Sequence, residues 1–202
     1  MLRYQLTRPF GYIFIQHRVK KVVDWYLPAL LATIAVAVLF PFRGIVNIWG
    51  EQGLVVNVQA FVQSLPGFYI AALAAIATFG QKGTLDTLMP EPTPTIETRF
   101  GGAWVVMGLT RRRFLCLLFA YLTALSVCLT VFSLFVRAVV GVKQMMPHFL
   151  GEATFYAMTY AYLIFFFQMV VTTLWGLYYL SDRIHQPDPH EPVDPDGSDI
   201  RS

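Results

Sequence analysis

The sequence predicts an all-α integral membrane protein with four transmembrane helices, and three observations support this fold class. Hydrophobic residues make up 56% of the 202-residue chain and charged residues only 13%, which is apolar-rich for a soluble domain. Four apolar segments are long enough to cross a hydrocarbon core, which needs about 20 helical residues. Basic residues are concentrated on one side of these segments, as the positive-inside rule requires. The basic residues therefore indicate orientation and not nucleic-acid binding.

The four predicted spans cover residues 25–42, 54–79, 114–136 and 153–180. Most of the 15 basic residues precede the first span, lie between the second and third, or follow the fourth. The two other loops hold only Arg43, Arg137 and Lys143. Because positive residues stay on the cytoplasmic side, we expect both termini and the loop of residues 80–113 to be cytoplasmic.

The two ends of the chain have different predicted characters. Residues 1–24 precede the first span, and the stretch 10–26 carries apolar side chains such as Phe14 and Val22 at helical spacing. Lys20 and Lys21 fall mostly on the other face, so we expect an amphipathic helix on the inner leaflet that binds anionic lipid headgroups. The tail of residues 181–202 is acidic and rich in proline, a composition that predicts disorder.

The loop of residues 80–113 is the largest predicted extramembrane feature. Its prolines favour an extended stretch, and two runs of strand-forming residues flank Gly101-Gly102, a plausible hairpin turn. An isolated hairpin is marginal in water, so we expect a neighbouring subunit, the headgroup layer or a partner protein to support it. Candidate docking residues for a partner or the membrane surface are Asp86, Pro90, Pro92, Pro94, Arg99, Trp104, Arg111, Arg112 and Arg113. The alternative is an ordinary connecting loop with basic anchors.

The second span contains the stretch "SLPGFYIAALAAIATF", which combines a helix breaker with small residues. Pro66 removes one helical hydrogen bond and is expected to kink the helix. Gly67, Ala71 and Ala75 follow at intervals of four, so they share one face. Such a stripe of small residues lets another helix approach closely. We predict a helix-packing seam here, within one subunit or between subunits.

Polar residues in the predicted spans form a second candidate site. Asn57, Gln59, Gln63 and Ser64 lie in the outer half of the second span, and Gln168 lies in the middle of the fourth. Polar groups inside a membrane should face the bundle interior or a cavity. The group in the second span either bonds between helices, lies in the headgroup zone or lines a hydrated vestibule. Gln168 is expected to join an interhelical network with Thr172 and Thr173.

Several function classes are disfavoured by the sequence. No charged residue lies deep in a predicted span, which argues against proton-coupled or ion-coupled transport. No serine-histidine-aspartate arrangement, metal motif or phosphate-binding loop is present, so we expect no enzyme activity, metal or cofactor. Two hypotheses remain. The first is a self-associating scaffold or sensor that holds a cytoplasmic partner through the loop and tail. The alternative is a small oligomeric pore. A pore would need a continuous polar face along at least one helix, and spans one and three lack such a face.

The stretches "LPGFYIAALAAIATF", "LMPEPTPT" and "LTRRRF" belong to a layout of four spans, inside termini, a kinked second span and a proline-rich cytoplasmic loop. Over nearly the whole chain this layout resembles the small membrane subunit, KwaA, of the bacterial Kiwa anti-phage system. The resemblance implies a homo-oligomeric sensor in the bacterial inner membrane. Such a sensor would report phage attachment to a cytoplasmic, DNA-binding effector subunit. The resemblance transfers no individual functional residue to this chain.

Overall fold

The computed structural model describes residues 2–15, 18–42, 45–50, 52–78, 84–89, 93–100, 103–140 and 148–181. Four helical segments are long and apolar enough to cross a membrane, namely Val22–Phe42, Leu54–Thr78, Arg111–Ala138 and Ala153–Ser181. They match the four predicted spans, and a small two-stranded sheet accompanies them. The predicted helical architecture and the predicted hairpin are therefore confirmed.

The elements follow the chain in a simple order. The helices are α1 (Leu2–Thr7), α2 (Arg18–Lys21), α3 (Leu27–Leu39), α4 (Leu54–Thr78), α5 (Arg111–Val140) and α6 (His148–Ser181). The strands are β1 (Thr95–Phe100) and β2 (Ala103–Gly108). A π-helical turn, Val22–Tyr26, joins α2 to α3, and a 3-10 helix, Arg8–Phe14, follows α1. Helix α4 continues through Pro66 without a break.

Helix α5 lies at the centre of the bundle. It packs against α4, α6 and the 3-10 helix Arg8–Phe14, and α3 packs against α6. Phe114, Leu118 and Leu122 on α5 are almost completely buried. In the most apolar part of this helix 56% of the residues are buried. These buried apolar side chains give α5 van der Waals contact with each of its neighbours.

Helix α4 packs on α5 through one narrow stripe. Its buried residues include Val55, Val62, Tyr69 and Ile76, which are spaced seven apart as in helices that pack side by side. Gln59 lies on the same buried face. The opposite face of α4 is exposed, so this helix forms the edge of the bundle.

The hairpin has the predicted turn length and gains its support from the same chain. Phe100 pairs with Ala103, which leaves a two-residue connection between the strands; Gly101 and Gly102 themselves lie outside the described residues. Ile96 and Thr98 of β1 are buried, whereas all of β2 is exposed. The supports expected from the sequence were a second subunit, lipid or a partner. Instead, β1 packs on the N-terminal segment and α5.

The predicted continuous amphipathic helix over residues 10–26 is wrong. The 3-10 helix ends at Phe14, Ile15 has an extended backbone, and helical structure resumes with α2. Lys20, which was assigned to the polar face, is 4% exposed. It forms an ion pair with Asp24, which is also buried, and this pairing offsets the cost of burying the charge. The chain therefore folds back onto α5 and does not extend as one surface helix.

Candidate functional site at the loop end of the bundle

We call the end of the bundle where α4 finishes and α5 begins the loop end. The described loop residues, the hairpin and the N-terminal segment all lie there. Helix α5 begins with three consecutive arginines, Arg111, Arg112 and Arg113, which the sequence analysis grouped as docking residues. The structure gives each of them a different environment, and these environments define the candidate site.

Arg112 joins the loop to two helices. Its guanidinium donates hydrogen bonds to both carboxylate oxygens of Asp86, at 2.8 and 3.1 Å, and to the main-chain oxygen of Ile76 at 2.7 Å. Ile76 lies in the last turn of α4, where carbonyl groups lack helical partners. The bonds from Arg112 hold the pKa of Asp86 below its usual value of 3.8. A single side chain on α5 thus ties the loop to the end of α4.

Arg113 connects the hairpin to α5. Its guanidinium donates to the Thr98 hydroxyl at 2.7 Å and contacts the Met107 sulfur at 3.7 Å. Its main-chain N–H donates to the Thr110 hydroxyl at 3.3 Å, which caps the start of the helix. The hairpin is therefore held in a defined position on the first turn of α5.

Arg111 and Pro94 are buried, so they do not form the surface that the docking prediction requires. Arg111 is 1% exposed, and its N–H donates to the main-chain oxygen of Thr87 at 3.1 Å. Pro94 accepts a main-chain bond from Leu109 at 3.0 Å. These bonds fold the loop over the first turn of α5, and that folding buries both residues.

The other docking candidates have separate outcomes. Trp104 is 65% exposed and packs edge-to-face on Tyr4, with ring centroids 6.2 Å apart. Asp86 is exposed while bonded to Arg112. Arg99 pairs with Trp104 through the backbone of the hairpin. Pro90 and Pro92 lie outside the described residues.

A buried charged cluster at this end was missed by the sequence analysis. Lys20 and Asp24 form an ion pair, and the Tyr12 hydroxyl donates to Asp24 at 3.0 Å. The Lys20 ammonium lies 4.3 Å from the centroid of the Tyr12 ring, which itself stacks on Tyr121 at 5.2 Å. Burial, and then the Asp24 carboxylate, raise the pKa of Tyr12, so this phenol stays a neutral donor. The separation of four residues between Lys20 and Asp24 is the signal that could have revealed the pair.

The small-residue stripe of α4 faces away from the other elements that the structure describes. A side chain built at Gly67 would meet no atom within 4 Å, and Ala71 and Ala75 are exposed. Among the described residues, no helix packs on this face. The predicted seam is therefore not a contact within the described part of one subunit, and packing between subunits stays a prediction.

The predicted polar group of α4 divides between two faces. Gln59 on α4 and Gln168 on α6 are 5% and 1% exposed. Asn57, Gln63 and Ser64 are exposed, so in the single chain they do not face the interior of the bundle. The reason is helical geometry, because the apolar stripe on the other face of α4 is the one that packs on α5.

The predicted interhelical network is formed by a different pair. Thr173 on α6 and Tyr69 on α4 are bonded through their hydroxyl groups at 2.7 Å. The side-chain oxygen of Gln168 and the Thr172 hydroxyl have no hydrogen-bond partner in the described part of the chain. A tyrosine in the apolar stripe was not recognised as a polar partner from sequence.

Comparisons with known proteins leave the site to be interpreted from its own geometry. No protein-family model, curated protein or solved structure matched this chain. Within the described ranges, no group of three histidine, cysteine, aspartate or glutamate side chains could hold a metal ion. The arrangement is one of charged and aromatic contacts that join segments at the loop end.

Proposed function

We propose that the chain is a self-associating membrane scaffold or sensor subunit that holds a soluble effector protein at its loop end. In this proposal the four apolar helices cross the bacterial inner membrane, with both termini and the loop in the cytoplasm. The distribution of basic residues supports this orientation. The Kiwa-like layout supports a role in anti-phage defence.

The outer face of α4 is the observation that carries the proposal. Gly67, Ala71 and Ala75 are exposed there, together with the polar side chain of Gln63. Lipid acyl chains cannot bond to polar groups, whereas a second helix can. Small residues also allow that helix to approach closely. This face therefore suits the α4 helix of a second copy better than it suits lipid.

The loop end offers a surface for the effector. Asp86, Thr87 and Leu88 have exposed side chains, and Leu88 is 60% exposed. The same short segment is fixed to α5 by the bond from Arg111 to Thr87 and by Arg112. An exposed segment held by its backbone is preorganised for binding, which lowers the entropic cost of docking.

Arg112 provides a physical link between the assembly face and the effector surface. It bonds to the last turn of α4 and to Asp86 at the same time. Pro66 lacks one helical hydrogen bond within α4, which allows that helix a second arrangement. A shift of α4 at a subunit contact would then move its last turn, to which Arg112 is hydrogen-bonded. The proposed sensor acts through this displacement of the loop.

A second candidate function, an oligomeric pore, is favoured by one observation. Asn57, Gln63 and Ser64 are exposed on α4 near the face that carries Gly67. If several copies met through α4, these groups would line part of a shared axis. These polar groups occupy only the N-terminal half of α4, and apolar Ala71 and Ala75 occupy the C-terminal half. The scaffold therefore remains the stronger proposal.

Purification of the tagged chain in mild detergent, with mass spectrometry of co-eluting proteins, tests the two functions. The scaffold predicts a soluble protein in fixed ratio, lost when residues 86–98 are replaced by a neutral linker. Deletion of residues 186–202 tests the contribution of the tail, and Lys21→Ala is a control at an exposed position. A chain that elutes only with itself would remove the main support for the scaffold. Detectable ion flux through the reconstituted protein would then support the pore.

A further inference from the structure

Strand β2 of the hairpin carries exposed apolar side chains on both of its faces. Trp104 and Val106 are 65% and 63% exposed, and Val105 and Met107, on the opposite face, are exposed as well. The strand contains no charged residue and no proline, although such residues usually protect a strand at the edge of a sheet. Among the described residues, no further strand pairs with it. We therefore expect another component to cover this strand.

Two neighbouring segments expose large apolar side chains at the same end of the bundle. Phe14, in the N-terminal segment, lines a cleft together with Trp104 and Val106 of the hairpin. Tyr12 of the same segment is bonded to Asp24 at the start of the first span, where the next two residues are aromatic and exposed. We call this set of exposed side chains the belt; its members are Phe14, Trp25, Tyr26, Trp104 and Val106.

Contacts along α5 give the height of the belt relative to the helices. Arg113 donates to Thr98 of the hairpin at 2.7 Å, and a side chain at Gly11 would meet Leu117 at 3.3 Å. The hairpin and the N-terminal segment therefore lie beside the first two turns of α5. The apolar segment Arg111–Ala138 has 28 residues and is about 42 Å long. That length matches a bilayer with its headgroup layers, about 40–45 Å, so these turns lie at headgroup level.

We propose that the belt is embedded in the headgroup layer of the leaflet at the loop end, so that the hairpin anchors the loop to the bilayer surface. Tryptophan and tyrosine favour this level, because their rings have an apolar body and a polar group. Burial of apolar surface supplies the driving force, so a bilayer without net charge is sufficient. The proposal rests on the membrane insertion in the proposed function and is independent of the effector.

Two features of the hairpin limit the depth of insertion. The outer edge of β2 has no strand partner in the described part of the chain, and main-chain groups without partners are costly in hydrocarbon. Glu97 is exposed and lies opposite Val106 on the same face of the hairpin, and a carboxylate is costly there too. Water in the headgroup layer satisfies both. We therefore expect the hairpin to stay at headgroup depth.

The position of the belt favours lipid over the effector as its partner. Leu88, on the surface assigned to the effector, pairs with Thr110 just before α5 begins. A soluble protein reaches that surface from the water. The belt lies beside the first two turns of α5, so a soluble protein would have to displace headgroups to reach it.

Spin labels on single cysteines measure these depths in phosphatidylcholine nanodiscs, in the background Cys116→Ala/Cys128→Ala. Val106→Cys reports on the belt and Leu88→Cys on the water side. Val127→Cys reports on the hydrocarbon, because this residue is 49% exposed in the middle of α5. Oxygen concentrates in the bilayer interior and a nickel chelate stays in water, so the ratio of their collision rates with the label reports depth. We expect the ratio at position 106 to lie between the other two.

The other outcomes overturn the proposal in distinct ways. A ratio at position 106 equal to that at position 88 would place the hairpin in water. A ratio equal to that at position 127 would place it in hydrocarbon and contradict the headgroup depth. An immobile label that neither reagent reaches would assign the strand to a protein partner, either a second copy or the effector. A water-like ratio at position 127 would contradict the membrane insertion itself, and the proposed function with it.

Tryptophan fluorescence tests the belt without any cysteine variant. Phosphatidylcholine brominated near the top of its acyl chains quenches tryptophan close to the headgroups. Trp104→Phe should lower the fraction of emission that this lipid quenches. Trp49→Phe is the matched control, because this residue is 3% exposed, and it should not lower that fraction. An equal quenched fraction in wild type and Trp104→Phe, with a loss only of emission quenched by aqueous iodide, would overturn the proposal.

Discussion

Helices α4 and α5 are both apolar and both long enough to cross a membrane, yet they have opposite positions in the bundle. In the most apolar stretch of α5, 56% of the residues are buried, compared with 17% in α4. Helix α5 contacts α4, α6 and the N-terminal segment, whereas α4 contacts α5 through one stripe. Apolar character therefore shows which helices can enter a membrane, but it does not show which faces of those helices pack against other helices.

The same contrast applies to the glycines of the two regions. A side chain at Gly176 on α6 would meet the Leu118 side chain of α5 at 2.9 Å. A side chain at Gly67 on α4 would meet nothing within 4 Å. The first glycine allows a contact within the chain. The second leaves a surface that no residue in the described part of the chain covers.

The largest loss of folding stability is expected at the buried ion pair of Lys20 and Asp24. Asp24→Ala leaves the Lys20 ammonium buried without its partner, and removal of one member of a buried ion pair costs about 3–5 kcal/mol. We expect a correspondingly lower free energy of unfolding in detergent, measured by chemical denaturation. Lys21→Ala, at an exposed position, should have little effect. Equal free energies of unfolding for the two variants would contradict the burial of the Lys20–Asp24 ion pair.

A core truncation on α5 compared with a surface truncation on α4 tests the contrast in packing. Leu122 is completely buried, whereas Phe68 on α4 is 69% exposed. Leu122→Ala should lower the free energy of unfolding by about 2–5 kcal/mol, as cavity-forming changes do. Phe68→Ala removes a larger side chain and should cost less than about 1 kcal/mol. A larger loss for Phe68→Ala would show that α4 has a buried contact not present in one chain.

The two glycines provide a matched pair of substitutions. Gly176→Leu should destabilise the chain by about 1–3 kcal/mol, because overpacking displaces Leu118. Gly67→Leu should leave the folding of the single chain unchanged and weaken self-association. Thermal unfolding and sedimentation in detergent measure the two effects separately. A normal oligomer from Gly67→Leu would exclude the small-residue face of α4 from assembly.

The smallest effect concerns the link from α5 to the loop. The pKa of Asp86 is lowered in the folded chain by its bonds from Arg112, so its contribution to stability is present above the usual carboxyl pKa. That contribution is lost as the pH falls through the lower, folded-state value. We expect the protection of main-chain amides near Asp86 from hydrogen exchange, relative to the intrinsic rate at each pH, to decrease below about pH 4. Asp86→Asn should remove this pH dependence, and an unchanged profile would contradict the role of the carboxylate.

The candidate site was predictable only in part, for reasons that its residues illustrate. Arg111, Arg112 and Arg113 were correctly placed at the start of a helix, since Thr110 and the apolar run that follows mark it. Their separate roles depend on Thr87, Ile76 and Thr98, which are distant in sequence. Local patterns carry no information about such pairings, so three similar residues received one interpretation.

The residue order alone determined the four apolar helices and the hairpin, because apolar length and turn chemistry act over short distances along the chain. It also contained the stripe from Val55 to Ile76 that packs α4 on α5. Only the tertiary structure decided that Gly67 and Gln63 face outward and that Lys20 and Asp24 face inward. A helix presents several faces of similar apolar character, and which of them is buried depends on the neighbour that covers it.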